Sequence, residues 1–399
     1  MIGHRALALI TCAVLLGLSP AAAQDPIKIG DINSYKAMAS STAHYKRGAD
    51  LAIDEINAAG GVLGRKIELV SRDDGANPGD AVRIAEELIS RDHVALLSGT
   101  ILSNVGLAVA DFAKQRKVFF LASAPLTDKI VYQDGNRYTF RLRASTYSHA
   151  AALVPLAAKL NKKRWALVYP NYEYGQSAVE TFKQLMKKAQ PDVEFVADMA
   201  TPLGKIDAGA VTQAIADAKP DAIFNVLFGS DLAKFVREGE SRELFKGREV
   251  VSLLTGEPEY LDPLGTDAPK NWLVTGYPWY AVHTPAHAAF LAAYQKKFGD
   301  YPRMASLVGY DTFKALAAGI AKAGSVDPDK LADAFRGLAV DTPAGPITFR
   351  PQDHQSTFGL YVGRTGVKDG KGYMQSFTYV DGASLQPADA EVKKWRPGS

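Results

Sequence analysis

Alternation between extended and helical periodicity constrains this chain more than any other feature. Residues Ile27 to Ile32 read as a buried strand, and Tyr45, Ala49, Ala52, Ile53 and Ile56 then recur at helical spacing up to Gly60-Gly61. Lys66 to Arg72 reads as a second strand. Asn77 followed by Pro78 marks a helix start, with Val82, Ala85, Leu88 and Ile89 expected to face inward. A strand over Val94 to Leu97, a helix from about Asn104 to Arg116 and a strand over Val118 to Leu121 continue the series. Strands that alternate with helices favour a largely parallel sheet covered by helices on both faces.

A second series begins after Arg143. Trp165 to Tyr169, Val193 to Ala197, Ala222 to Phe228 and Val250 to Leu254 read as strands, with a helix over Gly175 to Ala189 and further helices between the later strands. No Pro- or Ser-rich linker separates the two series, so they predict two doubly wound α/β lobes joined by short crossings. In the last third, Leu273 to Tyr277, Phe358 to Gly363 and Phe377 to Val380 read as strands. Ala286 to Phe298 and Ser306 to Ala323 read as helices, and the chain is expected to re-enter both lobes.

The chain has 399 residues, 47% hydrophobic and 22% charged, which suits a globular protein with sizeable cores. His4 and Arg5 precede an apolar run from Ala6 to Leu18, and Ala21, Ala22 and Ala23 follow with small side chains. That order predicts a secretory signal over 1–23 cleaved after Ala23, since a spanning helix needs about 20 apolar residues. Cys12, the one cysteine, lies inside that run, so the mature chain is expected to rely on packing, without disulfides or cysteine metal ligands. The formal charge is only +3, and the basic runs, such as Lys162-Lys163-Arg164, are short and scattered. This argues against nucleic acid as a partner.

Motifs for catalysis are missing. His283 and His287 are four apart, but Pro285 lies between them and no Glu follows His283, so the zinc-protease pattern fails and no metal is expected. Asp73-Asp74 before Gly75 reads as a turn with a helix cap. No Gly-rich nucleotide cradle follows the first strand, and no nucleophile elbow occurs. Ser103 and Asn104 remain: they follow a strand and open a helix, where free N–H groups favour an anion, with a plain Ser N-cap as the alternative.

Several segments resemble periplasmic solute-binding proteins of the branched-chain amino-acid type, the type I fold that serves ATP-driven importers. The resemblance rests on the run from Gly48 to Gly61, on Gly64-Arg65-Lys66-Ile67, on Asp73-Asp74 and on Pro78 to Ala81, and it extends over nearly all of the mature chain. It implies an N-terminal lobe of 26–141 plus 276–342, a C-terminal lobe of 142–275 plus 343–385, and a tail of 386–399.

By the same resemblance, Ser103 and the backbone N–H groups of Ala124 and Leu126 hold a ligand carboxylate. Tyr174 and Phe228 supply rings, Phe228 standing where the family usually has Tyr, and Glu257 meets the ligand's ammonium. Asn33-Ser34-Tyr35-Lys36-Ala37 departs from the family's first loop, and Ser41-Thr42 stand where an aromatic residue often closes the pocket. Tyr35 with Trp279 is suited to walling a flat ring. The expectation is a periplasmic binder for an ABC importer, with no enzymatic activity and no cofactor. It would act as a monomer that closes over a small carboxylate-bearing solute, most simply an amino acid, and engage an inner-membrane permease with its ATPase. An aromatic carboxylate or an amide is the alternative guest, and a ligand-sensing partner of a membrane receptor the alternative role.

Overall fold

A computed structural model describes residues 24–396. The expected signal segment, Cys12 and the cleavage after Ala23 lie outside the described residues.

The first series forms β1 (Ile27–Asn33), α1 (Ala39–Ala58), β2 (Ile67–Asp73), α2 (Pro78–Ser90), β3 (Leu96–Gly99), α3 (Ser103–Arg116), β4 (Phe120–Ala122) and β5 (Thr139–Arg141). Its sheet has the order β2-β1-β3-β4-β5 and is parallel throughout. The chain continues through α4 (Thr146–Lys159), β6 (Arg164–Pro170), α5 (Glu173–Ala189), β7 (Glu194–Thr201), α6 (Ala208–Asp217), β8 (Ala222–Asn225), α7 (Gly229–Ser241), β9 (Glu249–Gly256), α8 (Pro258–Leu261) and β10 (Leu273–Gly276). After α9 (Pro285–Phe298), α10 (Met304–Ala323) and α11 (Pro328–Phe335) come β11 (Ala339–Thr342), β12 (Gly345–Thr348), β13 (Leu360–Lys368), β14 (Lys371–Val380) and α12 (Asp389–Trp395). The second sheet has the order β14-β13-β10-β9-β8-β6-β7, and only its β13 and β14 edge runs antiparallel. Two α/β lobes result, as the two series require.

Local chemistry accounts for the elements. The Asn77 side chain accepts the N–H groups of Gly79 and Asp80, and Pro78 sits where a helix has no N–H to lose. The buried face of α2 is Ala81, Ile84, Ala85 and Leu88, rotated from the expected one so that Val82 and Ile89 are only partly covered. Backbone meets backbone where α10 crosses α1. A Cβ on Gly48 would lie 1.9 Å from the Ser306 carbonyl oxygen, so the Gly48 motif residue permits a contact that any side chain would wedge apart.

Two crossings between the lobes are laced together by buried polar groups. Arg141 is fully buried, donates to Gln355 Oε1 at 2.5 Å and also donates to the carbonyls of Leu126 and Thr127. Gln355 in turn donates to the Arg143 carbonyl at 3.0 Å. The C-terminal segment packs back onto the body: Trp395 meets the ring of Tyr132 edge-on at 5.5 Å, and Arg396 donates to the Asp353 and Asn136 carbonyls. No helix among the described residues is long and apolar enough to cross a membrane.

Candidate functional site

The carboxyl ends of parallel strands in each lobe point toward the other lobe, where ligands of open α/β sheets are found. On the first-lobe side, β3 ends in a tight turn that only glycine tolerates well. Gly99 has φ +109°, and a Cβ there would lie 2.4 Å from the Ile32 carbonyl oxygen. Thr100 follows, its N–H bonded to that carbonyl at 2.8 Å and its hydroxyl buried without a partner among the described residues. The helix cap is Leu102, which offers no side-chain bond, so Ser103 is not a simple N-cap. Its buried hydroxyl accepts the Thr127 N–H at 3.2 Å. The Ala124 N–H, expected to face a ligand, is bonded within the lobe to the Thr100 carbonyl at 3.3 Å. The Leu126 N–H has no partner among the described residues, while its carbonyl takes the Thr146 N–H and an Arg141 N–H.

On the second-lobe side the groups are aromatic. Tyr174, at the start of α5, is buried, with no partner for its hydroxyl among the described residues. Its ring meets Phe228 edge-on at 5.7 Å and Tyr172 at 6.0 Å, and Phe228 lies 6.3 Å from Tyr260. Phe228 does not finish β8, which stops at Asn225; it is the N-cap residue of α7, and this turns its ring toward the strand ends.

Glu257 reaches the same region through an irregularity in β9. Leu254 has φ +64°, its N–H bonds the Thr275 hydroxyl at 3.0 Å, and the register between β9 and β10 shifts beyond it. Such a bulge re-aims the residues that follow. Glu257 is 1% exposed; one carboxyl oxygen accepts from Arg143 and the other has no partner among the described residues. Burial pushes the Glu257 carboxyl up to about 8, with Arg143 opposing and Glu259 assisting. For Arg143, burial is the largest influence and works against the charge, but Glu257, Tyr260 and Glu259 together outweigh it and the net shift is upward. The resemblance assigned Glu257 to a ligand ammonium; in the structure the cation that it meets is Arg143 of this chain. A buried carboxylate requires a counter-charge, and Arg143 on the crossing after β5 supplies it.

Other expectations fare differently. Tyr35 donates to Asp31 at 2.6 Å, joining Tyr45, Asn33 and Ser98 around that buried carboxylate. Trp279 stacks on Tyr301 at 4.5 Å with planes 11° apart. The His287 Nε2 bonds the Tyr277 hydroxyl at 2.6 Å, and Asp74 takes the Ser34 hydroxyl and the Ala76 N–H, a structural turn as read.

The lobes touch beside the cleft: Tyr172 packs against both hydrophobic clusters, Thr127 donates to Glu173 at 2.7 Å, and the Asp128 N–H bonds Ser177 at 3.2 Å. Beside the cleft, Glu259 of α8 accepts the N–H groups of Met304 and Ala305 at the start of α10, which packs on α1. That carboxylate meets free helix-start amides across the lobe junction.

A family model described as periplasmic binding protein matches residues 26–371. The chain belongs to the periplasmic binding protein family. The Leu/Ile/Val-binding protein homolog 7 of Brucella suis biovar 1 (strain 1330) is 27% identical over 356 residues, covering 85% of this chain and 87% of that protein. The solute binding protein of an ABC transporter from Rhodopseudomonas palustris BisB5, solved in complex with 3,4-dihydroxybenzoic acid, superposes with a TM-score of 0.81 at 27% identity. It covers 90% of this chain and 98% of its own. An amino acid ABC transporter substrate-binding protein from Pseudomonas fluorescens Pf-5 gives 0.81 at 25%, covering 93% and 99%. These family members are solute-binding proteins, not enzymes.

Within the family framework, reasoning from sequence missed Thr100, Arg143, Tyr172 and Tyr260. A signal for Arg143 was present. Arg141 and Arg143 alternate with Phe140 and Leu142, so two cations share one face of an otherwise apolar segment, and buried cations require anions. Tyr172 and Tyr260 gave no signal beyond being aromatic, since their position depends on how two distant loops meet.

Proposed function

We propose that this chain is the periplasmic solute-binding component of an ABC importer and that its guest is a small aromatic carboxylate. The observation that carries the ligand class is the internal contact of Glu257 with Arg143. An amino acid brings its own cation, and the carboxyl that would receive it already faces a guanidinium of this chain and, raised to about 8 by burial, is mostly protonated at neutral pH. A guest with no ammonium asks nothing of Glu257 beyond a hydrogen bond.

The Ser103 hydroxyl and the unpartnered Leu126 N–H suit the guest's carboxylate at the α3 start, where the helix dipole favours an anion. Tyr172, Tyr174, Phe228 and Tyr260 offer ring edges and faces to a flat body, whose preferred contacts are offset or edge-on. At the far end, the free Glu257 oxygen accepts from a ring hydroxyl, and the Tyr174 hydroxyl lies in the same cluster. The Rhodopseudomonas palustris relative solved with 3,4-dihydroxybenzoic acid supports this reading. Closure of the two lobes buries the guest and presents the closed shape to an inner-membrane permease with its ATPase.

A thermal-shift panel tests the proposal. A ligand that binds only the native state stabilises it by about 2.7 kcal/mol at a hundred times its Kd. Benzoate, 4-hydroxybenzoate and 3,4-dihydroxybenzoate should raise the unfolding temperature, whereas leucine, isoleucine and valine should leave it unchanged. The amino-acid reading is favoured by the Pseudomonas fluorescens relative's name and by the position of Glu257. It wins if the second group stabilises the protein and the first does not.

A further inference from the structure

We propose a second small-molecule site, for a flat aromatic anion, in the cavity between the β13–β14 hairpin, α8 and the segment leading into α10. The cavity measures about 440 Å³, within the range of roughly 300–1,000 Å³ typical of ligand sites. It lies behind the loop that carries Glu257 and takes none of the cleft rings as lining, so it stands or falls independently of the cleft's guest.

Its walls are aromatic and held in place. Trp279 and Tyr301 stack at 4.5 Å with planes 11° apart, and the Arg303 guanidinium sits 3.9 Å from the Tyr301 ring centre. The Tyr280 hydroxyl donates to the Met374 carbonyl at 2.7 Å and accepts the Met374 N–H at 2.9 Å. This fixes a ring that is otherwise 40% exposed. Tyr373 lies 6.4 Å from Tyr280. With the Tyr280 hydroxyl bound elsewhere and Trp279 stacked on Tyr301, the cavity offers π surface at little cost in side-chain entropy.

The rim selects the charge. Lys368 and Lys371 flank the Asp369-Gly370 turn and line the cavity, and neither has an ion pair among the described residues. Asp262, the other acidic group of the lining besides Asp369, is engaged by Arg303 at 3.1 Å. Two uncompensated cations thus face one free carboxylate, and aromatic walls beneath a cationic rim fit a carboxylate or sulfonate on one or two fused rings. The site also bridges the lobes. Pro258, Leu261 and Asp262 come from α8 of the second lobe, while Tyr301 leads into α10 on the first. An occupant touching both sides therefore favours the closed arrangement.

The test uses 1-anilinonaphthalene-8-sulfonate, titrated into the full mature protein and followed by energy transfer from tryptophan. The expected result is one saturable site per chain, weakened at least fivefold in a Lys368→Ala, Lys371→Ala double variant and unchanged in Phe228→Ala, which alters only the cleft. The uncharged N-phenyl-1-naphthylamine should bind at least fivefold more weakly than the sulfonate. Unsaturable binding, loss of binding in Phe228→Ala, or indifference to the lysines or to the probe's charge would each overturn the proposal.

Discussion

The first lobe meets the cleft with Thr100, Ser103 and the loop through Leu126, whereas the second meets it with Tyr172, Tyr174, Phe228 and Tyr260 around the Glu257–Arg143 pair. The first face is made of a helix start and turn amides, groups that any parallel sheet of this topology presents at its strand ends. The second is made of side chains, and its shape depends on where a bulge at Leu254 and a cap at Phe228 aim them. An anion is thus attracted by the architecture, and the guest is chosen by the residues set into it. This division assigns most of the discrimination to the second lobe, and four experiments can break or sharpen it.

The largest effect is expected from Arg143→Met. At about pH 9, where Glu257 is mostly ionised, it leaves that carboxylate buried without its cation, and removing one partner of such a pair costs about 3–5 kcal/mol. Urea unfolding should show a loss of that size. A loss under about 1 kcal/mol would mean that the pair is dispensable and that Glu257 is open to a ligand cation.

Phe228→Ala should come next. Exposing a pocket where a ring was packed forfeits about 2 kcal/mol of contact with a flat guest, or roughly thirtyfold in affinity for 4-hydroxybenzoate by calorimetry. Equal affinity would show that the rings of the second lobe do not touch the guest.

Raising the pH separates the two guest classes by sign. Glu257 lies at about 8, so it passes from mostly protonated to mostly ionised between about pH 7 and pH 9. Its charged neighbours are Arg143 and Glu259, with the Tyr260 and Tyr174 hydroxyls beside them. The appearing negative charge repels a guest that carries only a carboxylate, and binding of benzoate should weaken by up to about tenfold over that interval. The same charge attracts an ammonium, so binding of an amino acid would instead tighten as the pH rises.

Ser103→Ala should act least. It removes one hydroxyl from the anion end and also the acceptor for the Thr127 N–H, and a neutral hydrogen bond contributes about 0.5–1.5 kcal/mol. A loss of about two- to twelvefold in affinity is expected, equal for every carboxylate tried. A loss confined to one guest would place discrimination in the first lobe.

Much of this is legible in the sequence. The strand–helix alternation specified two α/β lobes because hydrophobic periodicity is local, and Asn77-Pro78 announced a cap whose bonds are made as read. β5 is only three residues long, so the alternation of Arg141 and Arg143 with Phe140 and Leu142 marks buried cations without saying which anion they meet. Ala124 could be placed near the site by analogy, but the carbonyl that its N–H faces is set by the turn at Gly99 and Thr100. Tyr35 and Trp279 were paired as aromatic residues. Their actual partners, Asp31 and Tyr301, are fixed by tertiary packing that composition does not encode. The Glu257 loop was located, but its compensation by a cation 114 positions earlier in the chain was not.

The account turns on whether the guest must bring a positive charge, and isothermal calorimetry of the wild-type protein with 4-hydroxybenzoate and with leucine, side by side at neutral pH, measures that directly. Saturable binding of the aromatic acid with leucine at least a hundredfold weaker is the predicted result. Tight leucine binding with no heat from 4-hydroxybenzoate would contradict it, and would mean that Glu257 leaves Arg143 to receive an ammonium.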